Sequence, residues 1–149
     1  MTIEQRLKKY DRFRNELEAD ICTLSYMLNL NLIEPDGDLT QLNELLKRLQ
    51  GSLDFVCDER IEERMAHARM RFRQLATLDY LIRSCPTDER IALQSLFVDK
   101  LSWDETSSLL NVSRVTLHRI RRRALDRLEE KMKTDLSLSH LFQVSDDWN

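Results

Sequence analysis

The sequence predicts an all-α protein, and three observations predict it. The 149 residues include only 2 Gly and 2 Pro, too few for the many tight turns of a sheet protein. Apolar residues recur at steps of 3 and 4, not 2, along most of the chain. Charged residues make up 33 % and hydrophobic ones 42 %, a mixture that suits helices with one buried stripe and broad solvated faces.

The first helix is predicted over about Thr2–Leu30. Ile3, Leu7, Tyr10, Leu17, Ile21, Leu24 and Leu28 follow alternating steps of 3 and 4 once Arg14 is admitted as the odd member, which is a heptad seam. Pro35 and Gly37 in the segment IEPDGD end it. Asp38 and Gln41 have the spacing of a capping box and open a short helix with Leu39, Leu42, Leu45, Leu46 and Leu49 inward. Gly51 suits that helix's C-terminal cap. A long third helix is expected over about Leu53–Arg83, with Ile61, Met65, Ala68, Phe72, Leu75 and Ile82 as its seam and Asp79 interrupting it. The two seams can pair within one chain as a helical hairpin or between chains as a coiled coil, and heptads alone do not choose. Arg60, Arg64, Arg69, Arg71 and Arg73 crowd this third helix. Asp58, Glu59, Glu62 and Glu63 stand at pairing distance, so a solvated, salt-bridged face is the more common account of such a run. Residues 1–84 thus form a structural and homo-oligomerising module.

Ser84-Cys85-Pro86-Thr87 marks the boundary, because proline disfavours helical geometry in the residue before it. Thr87 or Ser84 is the expected cap of the next helix, about Asp88–Asp99, with Ile91, Leu93, Leu96 and Phe97 apolar. Ser102 and Glu105 form a second capping box and open a helix from Trp103 to Leu110. Asn111 then stands where a tight turn needs a residue tolerant of left-handed geometry. Val112 plugs the turn, and Ser113 caps a third helix with Thr116 at its N3 position. On a helical wheel Leu117, Ile120, Ala124 and Leu128 share one face. Val115, His118, Arg119 and Arg122 share the opposite face, flanked by Arg114, Arg121 and Arg123. From Thr106 to Leu125 there are five arginines and no acid, although the net charge of the whole chain is −3. Two helices, a short turn and a basic outward stripe make the helix-turn-helix recipe, with a recognition helix at about 113–132. The fold class is therefore all-α, with N-terminal heptad-patterned helices and a C-terminal helix-turn-helix domain at 85–133.

Arg90–Leu128 resembles region four of bacterial sigma factors, which reads the −35 promoter element. Leu101-Ser102-Trp103-Asp104-Glu105 is similar to that family's opening of the first motif helix. Asn111-Val112-Ser113-Arg114-Val115-Thr116-Leu117-His118-Arg119-Ile120 is similar to its turn and recognition helix, and Arg123-Ala124-Leu125-Asp126-Arg127-Leu128 to its closing stretch. Thr106 departs from the pattern, since the family usually has an apolar residue there. The remainder of a sigma factor is missing from the pattern. A short helical module before a region-four-like domain resembles phage-encoded transcriptional regulators of the ArpU and RinA kind. The resemblance implies sequence-specific binding of double-stranded DNA and control of late or lysis genes, with host RNA polymerase as a further partner. It implies Arg114, Val115, His118 and Arg119 at base edges. Arg121, Arg122 and Arg123 would meet phosphates, with Arg122 suited to either, and Thr116 would cap or touch phosphate. Trp103 reads as an anchor packing its helix onto its neighbours, because bulky aromatics serve cores more often than stacking sites.

Two other classes compete. A DNA-packaging component such as a small terminase subunit also joins such a domain to an oligomerising helical region. An RNA polymerase-binding module would use the basic helix on protein. An enzyme is not indicated: there is no Gly-rich phosphate loop, HExxH or GxSxG, and no catalytic residue is assigned. Cys22, Cys57 and Cys85 show no metal spacing with His67, His118 or His140, so no metal or cofactor is expected. No apolar run reaches the length of a membrane span and no signal-peptide core opens the chain, so no membrane partner and a cytoplasmic location are expected. The tail, 134–149, is acidic. It is expected to be disordered or to dock a short helix through Leu136, Leu138, Leu141 and Phe142.

Overall fold

Thr2 opens the chain's first helix with a capping box: its hydroxyl accepts the Gln5 N–H at 3.2 Å and the Gln5 side chain accepts the Thr2 N–H at 2.8 Å. In this computed structural model, which describes residues 1–30, 37–135, 138 and 148–149, every regular element is helical among those residues. The expected helix over Thr2–Leu30 is two helices, α1 (Ile3–Leu7) and α2 (Tyr10–Met27). At the junction the Lys9 N–H bonds to Arg6, three residues back, which tightens the backbone and resets the phase of the seam. The buried member beyond it is therefore Phe13, not Arg14, which stays half-buried and pairs with Glu18 at 3.0 Å. Asn29 ends α2 in left-handed geometry at φ 56°, with Leu30 N–H bonded to Ser25 and Asn29 N–H to Tyr26 in a Schellman arrangement.

The Asp38–Gln41 capping box forms as expected, with bonds of 3.0 and 3.1 Å, and opens α3 (Leu39–Leu53). Gly37 before it has φ +99°, and a Cβ there would overlap the Gln41 amide that caps Asp38. Gly51 is not the cap. α3 runs through it to Leu53, because Leu53 continues the buried stripe of Leu42, Leu46 and Leu49 and holds the last turn in place. The long helix α4 spans Glu59–Arg83, so the expected start at Leu53 lies inside α3. Asp58 turns the chain into α4 by accepting the Arg60 N–H at 3.0 Å.

α5 covers Thr87–Leu93 and widens into a π turn at Gln94–Val98, where the Asp99 N–H reaches back five residues to Gln94. Neither Thr87 nor Ser84 caps it. Pro86 occupies the cap position without a side-chain bond, and Thr87 is already helical. α6 (Trp103–Leu110) and α7 (Arg114–Thr134) follow. No helix among the described residues is long and apolar enough to cross a membrane.

The chain divides into two compact units, and the division differs from the expected boundary at 84. One unit joins Met1–Asp11 to Thr77–Asn149; the other is Arg12–Ala76. The reason is that α1 packs on α7, where the Ile3 N–H donates to Glu129 at 2.7 Å and Glu4 pairs with Arg121. The described tail residues also belong to this unit. Leu138 and Trp148 are buried in it, and the Lys9 ammonium donates to the Trp148 carbonyl at 2.5 Å. Leu136, Leu141 and Phe142 lie outside the described residues.

Within Arg12–Ala76 the heptad residues Leu17, Ile21 and Leu24 of α2 and Ile61, Met65 and Ala68 of α4 are buried in a single chain. The α4 arginines depart from a purely solvated face. Arg71 is 4 % exposed, bonds to Glu16 at 2.5 Å and Gln74 at 2.9 Å, and lies over the Phe13 ring. Buried Asp20 takes Arg64 at 3.1 Å and His67 at 2.5 Å. The acidic partners Glu16 and Asp20 sit on α2, far away in sequence, so the acids neighbouring the arginines could not reveal them. Asp58–Arg60 is a local pair of the expected kind.

Candidate nucleic-acid interface

Ser102 caps α6, accepting the Glu105 N–H at 3.0 Å, and the Glu105 carboxylate returns to the Ser102 N–H at 3.4 Å. Thr106 is fully buried in the first turns of this helix. Its hydroxyl donates to the Ser102 carbonyl at 2.9 Å, so the polar residue at this apolar-type position is satisfied within its own helix. Ser107 does the same with Trp103 at 2.7 Å.

Asn111 ends α6 at φ 55° and ψ 48°. Its N–H bonds to Ser108 at 3.1 Å and the Val112 N–H bonds to Ser107 at 3.0 Å, which is the Schellman pattern. Val112 then tucks against a core of Ala92, Leu117 and Ile120, together with Leu96, Trp103 and Leu110. This apolar contact after the left-handed residue fixes the direction in which the chain re-enters a helix. Ser113 caps α7 by accepting the Thr116 N–H at 3.1 Å, and the Ser113 hydroxyl also bonds to that of Thr116 at 3.0 Å.

The two faces of α7 separate as the wheel predicts. Leu117, Ile120, Ala124 and Leu128 are buried. Val115, 62 % exposed, points outward with His118, Arg119 and Arg122. The arginines differ in what they already hold. Among the described residues Arg119 and Arg122 make no ion pair. Arg114 has an exposed pair with Asp104 at 3.3 Å. Arg123 pairs with Asp88 at 2.7 Å and with the buried Glu89 at 3.6 Å. Arg121 is mostly covered: it pairs with Glu4 and its guanidinium lies 5.3 Å from the Phe97 ring centre and 5.6 Å from that of Trp103. The Arg121 bond holds the Glu4 carboxyl below its ordinary value. Thus Arg121 and Arg123, counted from sequence with the outward arginines, are engaged by acids of α1 and α5. A separation of 117 residues between Glu4 and Arg121 left no local signal of this.

Two features of this surface escaped the pattern of the sequence. The first is Leu109, 61 % exposed, an apolar side chain on α6. The second is a ring stack: Trp103 of α6 lies 4.2 Å from His118 of α7, with 22° between the planes. Trp103 does serve as an anchor against the core, and it also carries an outward imidazole on its face.

No family model matches the chain, and no curated protein or solved structure matches it well enough to count as a relative.

Proposed function

We propose that α6, the Asn111-Val112-Ser113 turn and α7 form a helix-turn-helix that reads double-stranded DNA, and that the chain is a sequence-specific transcriptional regulator. The observation that carries this reading is the pairing of a left-handed, apolar-plugged turn with a helix that buries Leu117, Ile120, Ala124 and Leu128. That helix leaves Val115, His118, Arg119 and Arg122 outward in its first three turns. A groove-entering helix needs this division: side chains at its N-terminal end meet base edges, and arginine supplies both bidentate guanine contacts and attraction to phosphate. Exposed Val115 is suited to a thymine methyl.

The resemblance to region four of sigma factors and to phage regulators extends the proposal to control of late or lysis genes in a bacterial cytoplasm, with host RNA polymerase as a further partner. Because α1 and the tail residues Leu138 and Trp148 belong to the same compact unit as α7, the DNA-reading unit in this proposal is larger than residues 85–133.

Selection of bound sequences from random duplexes by the full-length chain tests the reading. Enrichment of one motif, bound at least about 1,000-fold more tightly than random duplex, supports a promoter reader. Binding without enrichment would favour the packaging class. No binding to any duplex, with retained binding to RNA polymerase, would favour the polymerase-gripping module.

A further inference from the structure

The Trp103–His118 stack carries one more step, which rests on the DNA-reading proposal. His118 is on the outward face of α7, yet its ring is not loose: one face lies against the indole at 4.2 Å and 22°. The indole is itself fixed. It packs against the Ala92–Leu117–Ile120 core, and the guanidinium of Arg121, tied to Glu4, approaches it at 5.6 Å. A face-on stack covers one flat of the imidazole and leaves the ring edge, which carries the nitrogens, uncovered by the indole. Among the described residues neither ring nitrogen has a hydrogen-bond partner. In either protonation state at least one of them carries an N–H.

We propose that Trp103 is a positioning residue, holding the His118 imidazole so that its edge donates to the N7 acceptor of one purine in the major groove. Purine N7 is the acceptor that guanine and adenine share on that side of the base pair. Fixing the side chain before binding removes part of the ordering cost that a free histidine would carry into the complex. The indole therefore contributes to affinity without touching DNA, and the contribution runs through His118.

The test uses the full-length chain and the motif selected from random duplexes, with each purine replaced in turn by its 7-deaza analogue. The wild-type chain should lose about 3- to 10-fold in affinity at one purine more than His118→Ala does, because the variant has already lost that contact. Trp103→Leu should lose sensitivity at the same purine, and Trp103→Phe, which keeps an aromatic face, should restore most of it. In parallel, proton NMR of the free protein should show the His118 ring protons shifted by the indole in wild type and moved in Trp103→Leu. If Trp103→Leu fails to fold by circular dichroism, Trp103→Met, an unbranched apolar residue without an aromatic face, takes its place, with the same loss of sensitivity expected and unchanged sensitivity overturning the inference. A wild-type chain insensitive to every 7-deaza purine would overturn the inference while leaving the DNA-reading proposal intact, as would unchanged sensitivity at that purine in His118→Ala or in a folded Trp103→Leu. Absence of selective DNA binding in wild type would overturn both.

Discussion

Arg127, well along α7, reaches across to Glu89 at the start of α5 and grips both carboxylate oxygens, at 2.9 and 3.2 Å. Glu89 is 1 % exposed and also faces Arg123 at 3.6 Å. A buried carboxylate is tolerated only with charge-assisted bonds around it, and the planar guanidinium supplies two at once. The pair fixes the helix that carries the outward residues against its support. Glu89→Ala is expected to cost about 1–3 kcal/mol of stability, read as a shift in the urea midpoint. Arg127→Ala should destabilise in the same direction, because it leaves the buried carboxylate with only its longer contact. A midpoint unchanged in both variants would mean that the pair is incidental.

Acid should loosen the contact between α1 and α7. Glu4 has its folded value depressed, chiefly by the bond from Arg121. A depressed carboxylate contributes stability that is fully present above its unfolded value and is lost as pH falls through the lower folded one. Stability should therefore decline below pH 4.5, the ordinary value, and Glu4→Gln should flatten that part of the profile. An identical acid profile in the variant would remove Glu4 from the account. The effect is small, since the carboxylate is partly solvated.

Thiol labelling should divide the cysteines two to one. Cys22 and Cys57 are exposed, and Cys85 is buried with its thiol pushed up by loss of solvation. An alkylating reagent at neutral pH should modify the first two quickly and Cys85 only on unfolding. Rapid labelling of all three would show that the Cys85 region opens readily.

DNA binding should respond to salt less steeply than five arginines would suggest. Arg121 is held by Glu4, and Arg123 by Asp88 and the buried Glu89, whereas Arg114 has only the exposed Asp104, so Arg114, Arg119 and Arg122 are the arginines left to bring charge onto DNA. The slope of log affinity on log salt should be about −3. Arg119→Ala should lose about 1–3 kcal/mol on the selected motif and much less on random DNA. Arg122→Ala should weaken both alike and flatten the slope by about one unit. Arg123→Ala should leave the slope unchanged; a flattening of one unit there would mean that Arg123 exchanges Asp88 for phosphate.

Assembly is the point on which heptads left two outcomes. Leu17, Ile21 and Leu24 on α2 and Ile61, Met65 and Ala68 on α4 are buried within one chain, so no second chain is required to cover them. Sedimentation at micromolar concentration separates the outcomes: one chain at every dilution means that the two seams satisfy each other inside the chain, and a persisting dimer means that another surface of the proposed homo-oligomer drives association.

Read from left to right, the residues alone determined the all-helical class, the capping boxes at Asp38 and Ser102, the Ser113 cap, the left-handed Asn111 and the split of α7 into apolar and basic faces. These are local facts: a side chain bonding to a backbone three residues away, or a stripe set by 3.6 residues per turn. Local pattern also misled where a distant burial overruled it. Leu53 drew α3 through Gly51, and the turn at Lys8-Lys9 moved the seam from Arg14 to Phe13. Only the tertiary structure decided which arginines are committed, because Glu4, Glu16, Asp20, Asp88 and Glu89 reach their partners from 34 to 117 residues away. It also decided that Trp103 meets His118, since the two lie on different helices and their distance depends on how the Asn111–Ser113 turn brings those helices together. Charge and ring contacts between helices have no fixed sequence spacing, so no periodicity could announce them, and they are what turns a basic stripe into a surface with particular residues to offer.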